Sequence, residues 1–313
     1  MGNGLEHHMA HVTDAVAALR RGDLVILPTE TVYGLAADAA NPAAVARIYE
    51  AKGRPSFNPL IAHVTGLATA ERIARLDERA RRLAEAFWPG PLTLVAPIAG
   101  PGAVCDLARA GLETVAVRAP GHPLAQAVLR EFGGPVVAPS ANRSSRPSPT
   151  TLADAVAETG FAAAVALDGG PCAVGLESTV LAVLDAPVRL LRPGGVTRAQ
   201  IEALVGPLGE AELDAKRSPG RLTLHYAPDA PVRLNALGPA SGEAFLGFGS
   251  ACADDGLNLS PTGDLRQAAA NLFTYLRIAD RGSPTGIAVA PIPGEGLGEA
   301  INDRLRRAAG FVG

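Results

Sequence analysis

The chain has 313 residues, 48% hydrophobic and 19% charged, a composition that excludes a disordered polar chain. No run of about 18 apolar residues marks a membrane span, and a formal charge of -3 gives no whole-chain electrostatic case for nucleic acid, leaving only a local basic cleft open. The length points to two domains or one large one. Aromatics make up only 4%, so the core must be built from Ala, Val, Leu and Ile. Cys105, Cys172 and Cys252 are widely spaced, with no CxxC and no histidine spacing that suggests zinc. They read as free thiols of a reducing compartment, so a cytoplasmic protein is expected. "EHHMAH" near the start reads as an adventitious surface cluster rather than a metal site.

Strand-like and helical runs alternate through the first 200 residues. "DLVIL" (23–27) is a buried strand that runs into "PTETVYG". "NPAAVARIYEAKG" has Asn41 as N-cap, Pro42 at the first helical position and Gly53 as its stop. "PLIAHV" (59–64) is a strand and "DERARRLAEAF" (77–87) an amphipathic helix. "PLTLVAPI" (91–98) and "TVAVRAP" (114–120) are strands, and "HPLAQAVLREFG" (122–133) is a helix. "PVVAPSAN" (135–142) is a strand entering a polar loop, with the helix "TLADAVAETG" after it. "STVLAVL", "DAP" and "VRLLRPG" form a hairpin, so the sheet is mixed. After "TRAQIEALVG" the periodicity stops, and residues 206–229 read as an interdomain linker. A smaller α/β unit follows, with strands "EAFLGFGS" and "GIAVAPIP" and helices "DLRQAAANLFTYLRIAD" and "EAINDRLRRAAG". The fold class expected is α/β, a twisted open mixed sheet with helices plus a smaller C-terminal Rossmann-like domain. Its divisions fall at 10–205, 206–229 and 230–313.

Polar residues collect where apolar strands end: the threonines after "VILP", Arg118 after "VAV", Ser140 and Asn142 after "VVAP", and Arg192 after "RLL". Lys52, Arg54 and Asn58 lie between a helix and a strand. Strand ends of open α/β sheets form the usual ligand crevice, and guanidinium forks bind phosphate or carboxylate oxygens two at a time. Any one of these arginines alone reads as surface solvation. Their recurrence reads as an anion-binding α/β protein. No Walker loop is present, Ser140 has no nucleophile elbow, and "GEGLG" (294–298) reads as a turn. His63 reads either as a hydrogen-bonded core histidine or as a cleft residue.

The ordered blocks "LPTETVYGLAADA", "KGRPSFNPLIAHV", "WPGPLTLV", "VAVRAPGHP", "VVAPSANRSSRPSPTT", "GLESTVL" and "LRPGGVT" resemble the YrdC-like family of threonylcarbamoyl-AMP synthases over about residues 10 to 205. "SPGRLTLHYAP" and the tail through "GEGLGEAINDRL" are similar to the two-domain version, except that Arg221 stands where that linker commonly has a hydrophobic residue. The resemblance implies an enzyme that makes threonylcarbamoyl-AMP and pyrophosphate from L-threonine, bicarbonate or CO2, and ATP, for t6A at position 37 of tRNA. It implies Mg2+ on the ATP phosphates with no dedicated protein metal site. Downstream tRNA threonylcarbamoyltransferase proteins are the implied partners, and direct tRNA binding is left open.

By the same resemblance Thr31, His63, Arg118, the backbone of Ala138 and Ser178 form the threonine pocket. Arg54, Asn58, Thr114, Ser140, Ser148 and Arg192 hold ATP. Tyr226 closes from the linker as a lid, and Lys52, Arg54, Ser140 and Asn142 are the catalytic candidates. Glu30 and Tyr33 are either site residues or supports of the turn. Two other functions stay in view: a carbamoyltransferase that makes a different carbamoyl adenylate, and a binding module for RNA.

Overall fold

The computed structural model describes residues 11–209, 225–250 and 257–310. It opens on a helix absent from the sequence expectation, α1 (Val12–Arg21), which buries Ala15, Val16, Ala18 and Leu19 and stops at Gly22 with φ 81°. β1 (Leu24–Leu27) and β2 (Gly34–Asp38) pair antiparallel, so the "PTETVY" stretch is the connection of a hairpin. α2 (Pro42–Lys52) is capped by the Asn41 side chain, which accepts from the Ala43 and Ala44 amides, and ends at Gly53 with φ 58°. Then come β3 (Ile61–His63), the single turn α3 (Leu67–Ala70), α4 (Glu78–Phe87), β4 (Leu92–Pro97), β5 (Thr114–Arg118) and α5 (Pro123–Phe132). β6 is only Val136–Val137, and α6 (Leu152–Thr159), β7 (Ala163–Ala166), β8 (Thr179–Ala182), β9 (Arg189–Arg192) and α7 (Arg198–Val205) complete this part.

The strand expected at the start of 135–142 is two residues long before the polar loop begins. Pro139 has no amide to give to a ladder, and the carbonyls of Ser140 and Asn142 accept from the Lys52 ammonium instead of a neighbouring strand. A single bridge between Gly34 and Ser140 is what remains of pairing there.

The nine strands form one open sheet in the order β7-β1-β2-β6-β3-β5-β4-β8-β9, and it is mixed. β1/β7, β3/β5 and β4/β8 run parallel, and β8/β9 is the expected antiparallel hairpin. Period-two alternation gives this sheet two different faces. Ala62, Leu92, Leu94, Ala96, Val115, Val117 and Leu181 point into the main hydrophobic core. On the other face Ile61, Val95, Ala116, Val180 and Leu191 form a second, small cluster, and Ile61 of these also lines a cleft.

The second sheet contains β10 (Val232–Arg233), β11 (Glu243–Gly247), β12 (Leu257–Asn258) and β13 (Gly286–Val289), in the order β10-β13-β11-β12 and parallel throughout. α8 (Leu265–Arg281) buries Ala268, Ala269, Leu272, Phe273 and Leu276, and α9 (Leu297–Ala308) buries Ile301 and Leu305. Their shared core also takes in Val32 and Leu176 from the first part and Tyr226 from the linker. The expected turn at 294–298 is only partly a turn, since Leu297 and Gly298 already belong to α9. Gly298 is required there because a Cβ would lie 1.8 Å from the Pro293 carbonyl oxygen. Of the expected linker, residues 210–224 with Arg221 lie outside the described residues, as does Cys252.

Candidate active site

A cleft of about 530 Å3, its solvent mouth included, opens on the sheet's second face. Its position follows from strand register. His63 on β3 pairs with Arg118 on β5, and continuing the Leu94–Val117 register places Thr93 of β4 opposite Arg118. Thr93 pairs with Val180 of β8, and Val180 pairs with Arg192 of β9. These five positions form one row across the sheet, about 19 Å long at about 4.8 Å per strand. The row lies at the carboxyl ends of β3, β5 and β9 but at the amino ends of β4 and β8, because the sheet is mixed. Arg192 reaches this face through a register shift. Leu181 pairs with Leu190 while Val180 pairs with Arg192, so Leu191 is the extra residue of a bulge. Strict alternation would have put Arg192 on the core side with Leu190.

At one end of the row, Arg118 is held on three sides. Its Nε donates to the Gly90 carbonyl (3.2 Å), Nη1 donates to Thr31 Oγ1 (2.9 Å), and Nη2 pairs with Glu30. The second Glu30 oxygen accepts from the Gly121 amide at 2.8 Å. Burial alone would raise the Glu30 carboxyl, but Arg118 and the Gly121 amide hold it below the usual carboxylate range. Thr29 shapes the turn, with its Oγ1 2.8 Å from Thr31 Oγ1 and 2.6 Å from the Val32 carbonyl. Glu30 is thus the group that orients Arg118. Tyr33 faces away, donating to the Gly170 carbonyl (2.8 Å) and accepting from the Gly169 amide (3.1 Å), as a support of the fold. Thr31, His63, Arg118, Ala138 and Ser178 all line the cleft.

Toward the other end, Arg192 donates from Nε and Nη2 to the Ser178 carbonyl (3.2 and 2.9 Å) and from Nη2 to Ser178 Oγ (3.2 Å). Thr93, which lies within "WPGPLTLV" but was not named as a site residue, fixes that serine with an Oγ1–Oγ distance of 2.7 Å. Arg54 donates to the carbonyls of Asn58 (3.4 Å) and Pro59 (3.2 Å). Burial pulls the Arg54 guanidinium down to about 10 and lowers Arg192 as well, though both stay cationic at neutral pH. Ser140, Arg54, Arg192 and Tyr226 line this side of the cleft, together with His225 and Glu177. Tyr226 is 1% exposed, in a left-handed conformation with φ 63°, its ring edge-on to His225 and 5.4 Å from Phe273.

Five expected site residues do not line the cleft. Lys52 is buried behind it, donating to the Ser140 and Asn142 carbonyls, and burial followed by Arg54 pushes its ammonium well below the usual lysine value. Asn142 donates to the carbonyls of Arg143 (2.7 Å) and Arg146 (2.8 Å), so these two shape the loop that carries Ser140. Ser148 is buried and donates to Glu177. Asn58 is buried with Oδ1 unpartnered among the described residues. Thr114 shares the cleft face of β5 but stands four residues back from Arg118, next to Pro59 by continuing register. Glu177, which lines the cleft, pairs through Oε2 with Arg304 Nε at 2.8 Å; neither was named among the expected site residues. Among the described residues no group of three or more metal-ligating side chains occurs, and no helix is long and apolar enough to cross a membrane. Cys105 and Cys172 are free thiols.

His63 donates from Nδ1 to the Ile61 carbonyl at 3.1 Å, and burial, then Arg118, holds its ring down to about 3. His225 is also held well below 6.5 by burial and the surrounding cations. A histidine kept neutral in the folded chain takes up its proton only on unfolding, so stability falls as pH drops below about 6.5. Between about pH 6.5 and 5.5 the depressed carboxylates Glu30 and Glu177 are charged in both states, so the histidines set the slope. Urea unfolding of His63→Gln should show a shallower loss over that window, by up to about 1.4 kcal/mol per pH unit. Parallel slopes for the two proteins would contradict a buried neutral His63.

Comparison with known proteins agrees with this arrangement. Residues 17–194 match the family model described as telomere recombination, and residues 196–310 match the threonylcarbamoyl-AMP synthase C-terminal domain. The threonylcarbamoyl-AMP synthase of Bacillus subtilis is 42% identical, over 96% of this chain and 93% of its own. That of Pyrococcus abyssi is 40% identical, over 95% of this chain and 93% of its own. A crystal structure of P. abyssi Sua5 complexed with L-threonine superposes with a TM-score of 0.88 at 37% identity, covering 96% of this chain and 94% of that one. With both family models matched in order and nearly the whole length covered, the chain belongs to the two-domain threonylcarbamoyl-AMP synthase family.

Proposed function

We propose that this enzyme joins L-threonine, bicarbonate (or CO2) and ATP into threonylcarbamoyl-AMP, releasing pyrophosphate, and thereby supplies the threonylcarbamoyl group of t6A at position 37 of tRNA. The single observation that carries this reading is the row from His63 to Arg192. It sets a carboxylate-binding arginine, Arg118, and a phosphate-binding arginine, Arg192, on one sheet face, about 14 Å apart by strand spacing. An amino acid and a nucleotide fit such a row end to end. That a relative is known complexed with L-threonine supports an amino-acid substrate, and the carboxylate preference of a buried guanidinium assigns it to the Arg118 end.

Arg118, already oriented by Glu30, receives the threonine carboxylate, with Thr31, His63, the Ala138 backbone and Ser178 as the rest of the pocket. The threonine amine loses a proton and captures CO2 as a carbamate. A carbamate oxygen then bonds to the α-phosphorus of ATP while the bond from that phosphorus to the bridging oxygen breaks, and pyrophosphate leaves. No protein nucleophile is needed, so the chain's work is alignment and charge stabilisation. Arg54, Arg192 and Ser140 hold the phosphates, Ser148 and Asn58 support the nucleotide side, and Thr114 marks its far end. Lys52 and Asn142 act by fixing the Ser140 loop. Tyr226 closes over the nucleotide as a lid.

Mg2+ fits as an ion carried in by the ATP phosphates. The carboxylates at the cleft are already engaged, Glu30 by Arg118 and Glu177 by Arg304, so no carboxylate cage is offered. There it would neutralise phosphate charge. A cytoplasmic setting and transfer of the adenylate to separate tRNA threonylcarbamoyltransferase proteins complete the reading.

Pyrophosphate release from ATP should require both threonine and bicarbonate and give an adenylate of the expected mass. Release with carbamoyl phosphate but without threonine would replace this reading by a carbamoyltransferase. Arg118→Ala should abolish calorimetric threonine binding while ATP affinity stays within about threefold, since only the carboxylate's charged partner is lost. Equal loss of both ligands would contradict the division of the row.

A further inference from the structure

Arg304 comes from α9, 127 residues after Glu177, and its side chain is fully buried. Nε donates to Glu177 Oε2 at 2.8 Å, and Nη1 donates to the Pro193 carbonyl (2.9 Å) and to Asp303 (2.7 Å). Its guanidinium carbon lies 5.3 Å from the centroid of the Tyr226 ring, within cation–π range. Glu177 passes the contact on, because its other oxygen accepts the Ser148 hydroxyl. One guanidinium therefore touches Tyr226 directly, Ser148 through one carboxylate, and the backbone next to Arg192 through Pro193. Among the described residues none of its hydrogen bonds reaches Thr31, His63, Arg118 or Ala138.

A separate set of contacts ties the same side of the cleft to α8. Arg277 pairs with Glu158 at 2.9 Å and donates to the Pro147 carbonyl, the residue before Ser148. Arg146 joins Glu158 (3.2 Å) to Asp229 (2.7 Å). Gly175 lets the strip leading to Glu177 lie against α8, where a Cβ would come within 2.5 Å of the Ala269 carbonyl oxygen.

We infer that Arg304 is a positioning residue for the nucleotide side of the site, so that the C-terminal unit serves the reaction by bracing Glu177, Ser148 and Tyr226 as well as by carrying the lid. This rests on the reading of the cleft as an ATP site. Removing Arg304 alone would strand the Glu177 charge in the interior, a structural injury in itself. The full-length double variant Arg304→Met/Glu177→Gln leaves no unpaired member of that pair, and Arg304→Lys keeps the charge without the planar fork.

Steady-state pyrophosphate release and thermal melting are to be measured for wild type and both variants. The double variant should melt near wild type, with KM for ATP raised by about tenfold or more and KM for threonine within about threefold. Arg304→Lys should show the same one-sided rise, smaller in size. A wild-type KM for ATP in either folded variant, or equal rises for both substrates, would overturn the inference. Absence of release by the wild type would instead count against the proposed reaction.

Discussion

Among the described residues, the cleft is organised around cations that form no direct ion pair. Arg54 and Arg192 donate to neutral oxygens, the carbonyls of Asn58 and Pro59 and the carbonyl and hydroxyl of Ser178. Lys52 stands behind them on two more carbonyls. Desolvation lowers all three from their ordinary values, which is the mark of positive charge held in a poorly hydrated place. Carbonyl dipoles hold such groups in position without cancelling their charge. A ligand with several negative oxygens would relieve the strain that folding leaves there, and a triphosphate is such a ligand. The two nearby carboxylates supply that relief only in part, because Glu30 is paired with Arg118 and Glu177 with Arg304, although Glu177 also acts on Arg192 through space.

The fold makes this possible by separating the two faces of one sheet. Along β5 the alternation sends Val115 and Val117 into the main core and Ala116 and Arg118 to the cleft, so a single five-residue strand serves stability and chemistry together. The bulge in β9 does the same for Arg192 by one extra residue. Loops then add the groups that a strand cannot place: the Thr31 turn tightened by Thr29, and the Ser140 loop whose carbonyls are gathered by Lys52. The second sheet enters the account through its helices, from which Arg304 pairs with the cleft residue Glu177 and Arg277 donates to the Pro147 carbonyl.

The sequence showed the strand ends, because a run such as "TVAVR" carries both its period and its terminal arginine in five letters. It also showed the cap of α2, which Asn41 and Pro42 determine locally. What it could not show depends on register and on distant pairing. Thr93 supports Ser178 across two strands separated by 85 residues, and Arg304 meets Glu177 across 127, with nothing local to mark either. Lys52 was visible as a charge near the site, but its direction away from the cleft follows from where the Ser140 loop lies. Within "PVVAPSAN" the strand expected to run into a polar loop keeps only Val136 and Val137, because Pro139 has no amide for the ladder. α1 was legible in principle from Val12, Val16 and Leu19 at helical spacing with Gly22 after them.

The most direct test of these unneutralised cations is the shift in melting temperature of the full chain with ATP and with adenosine at equal concentration. Selective binding to the folded state raises stability in proportion to the logarithm of ligand over Kd. ATP should raise the melting temperature by several degrees, roughly what 1–2 kcal/mol produces at this size, and adenosine by much less. Equal shifts for the two ligands, or none for ATP, would contradict a cleft whose charge is built for a triphosphate.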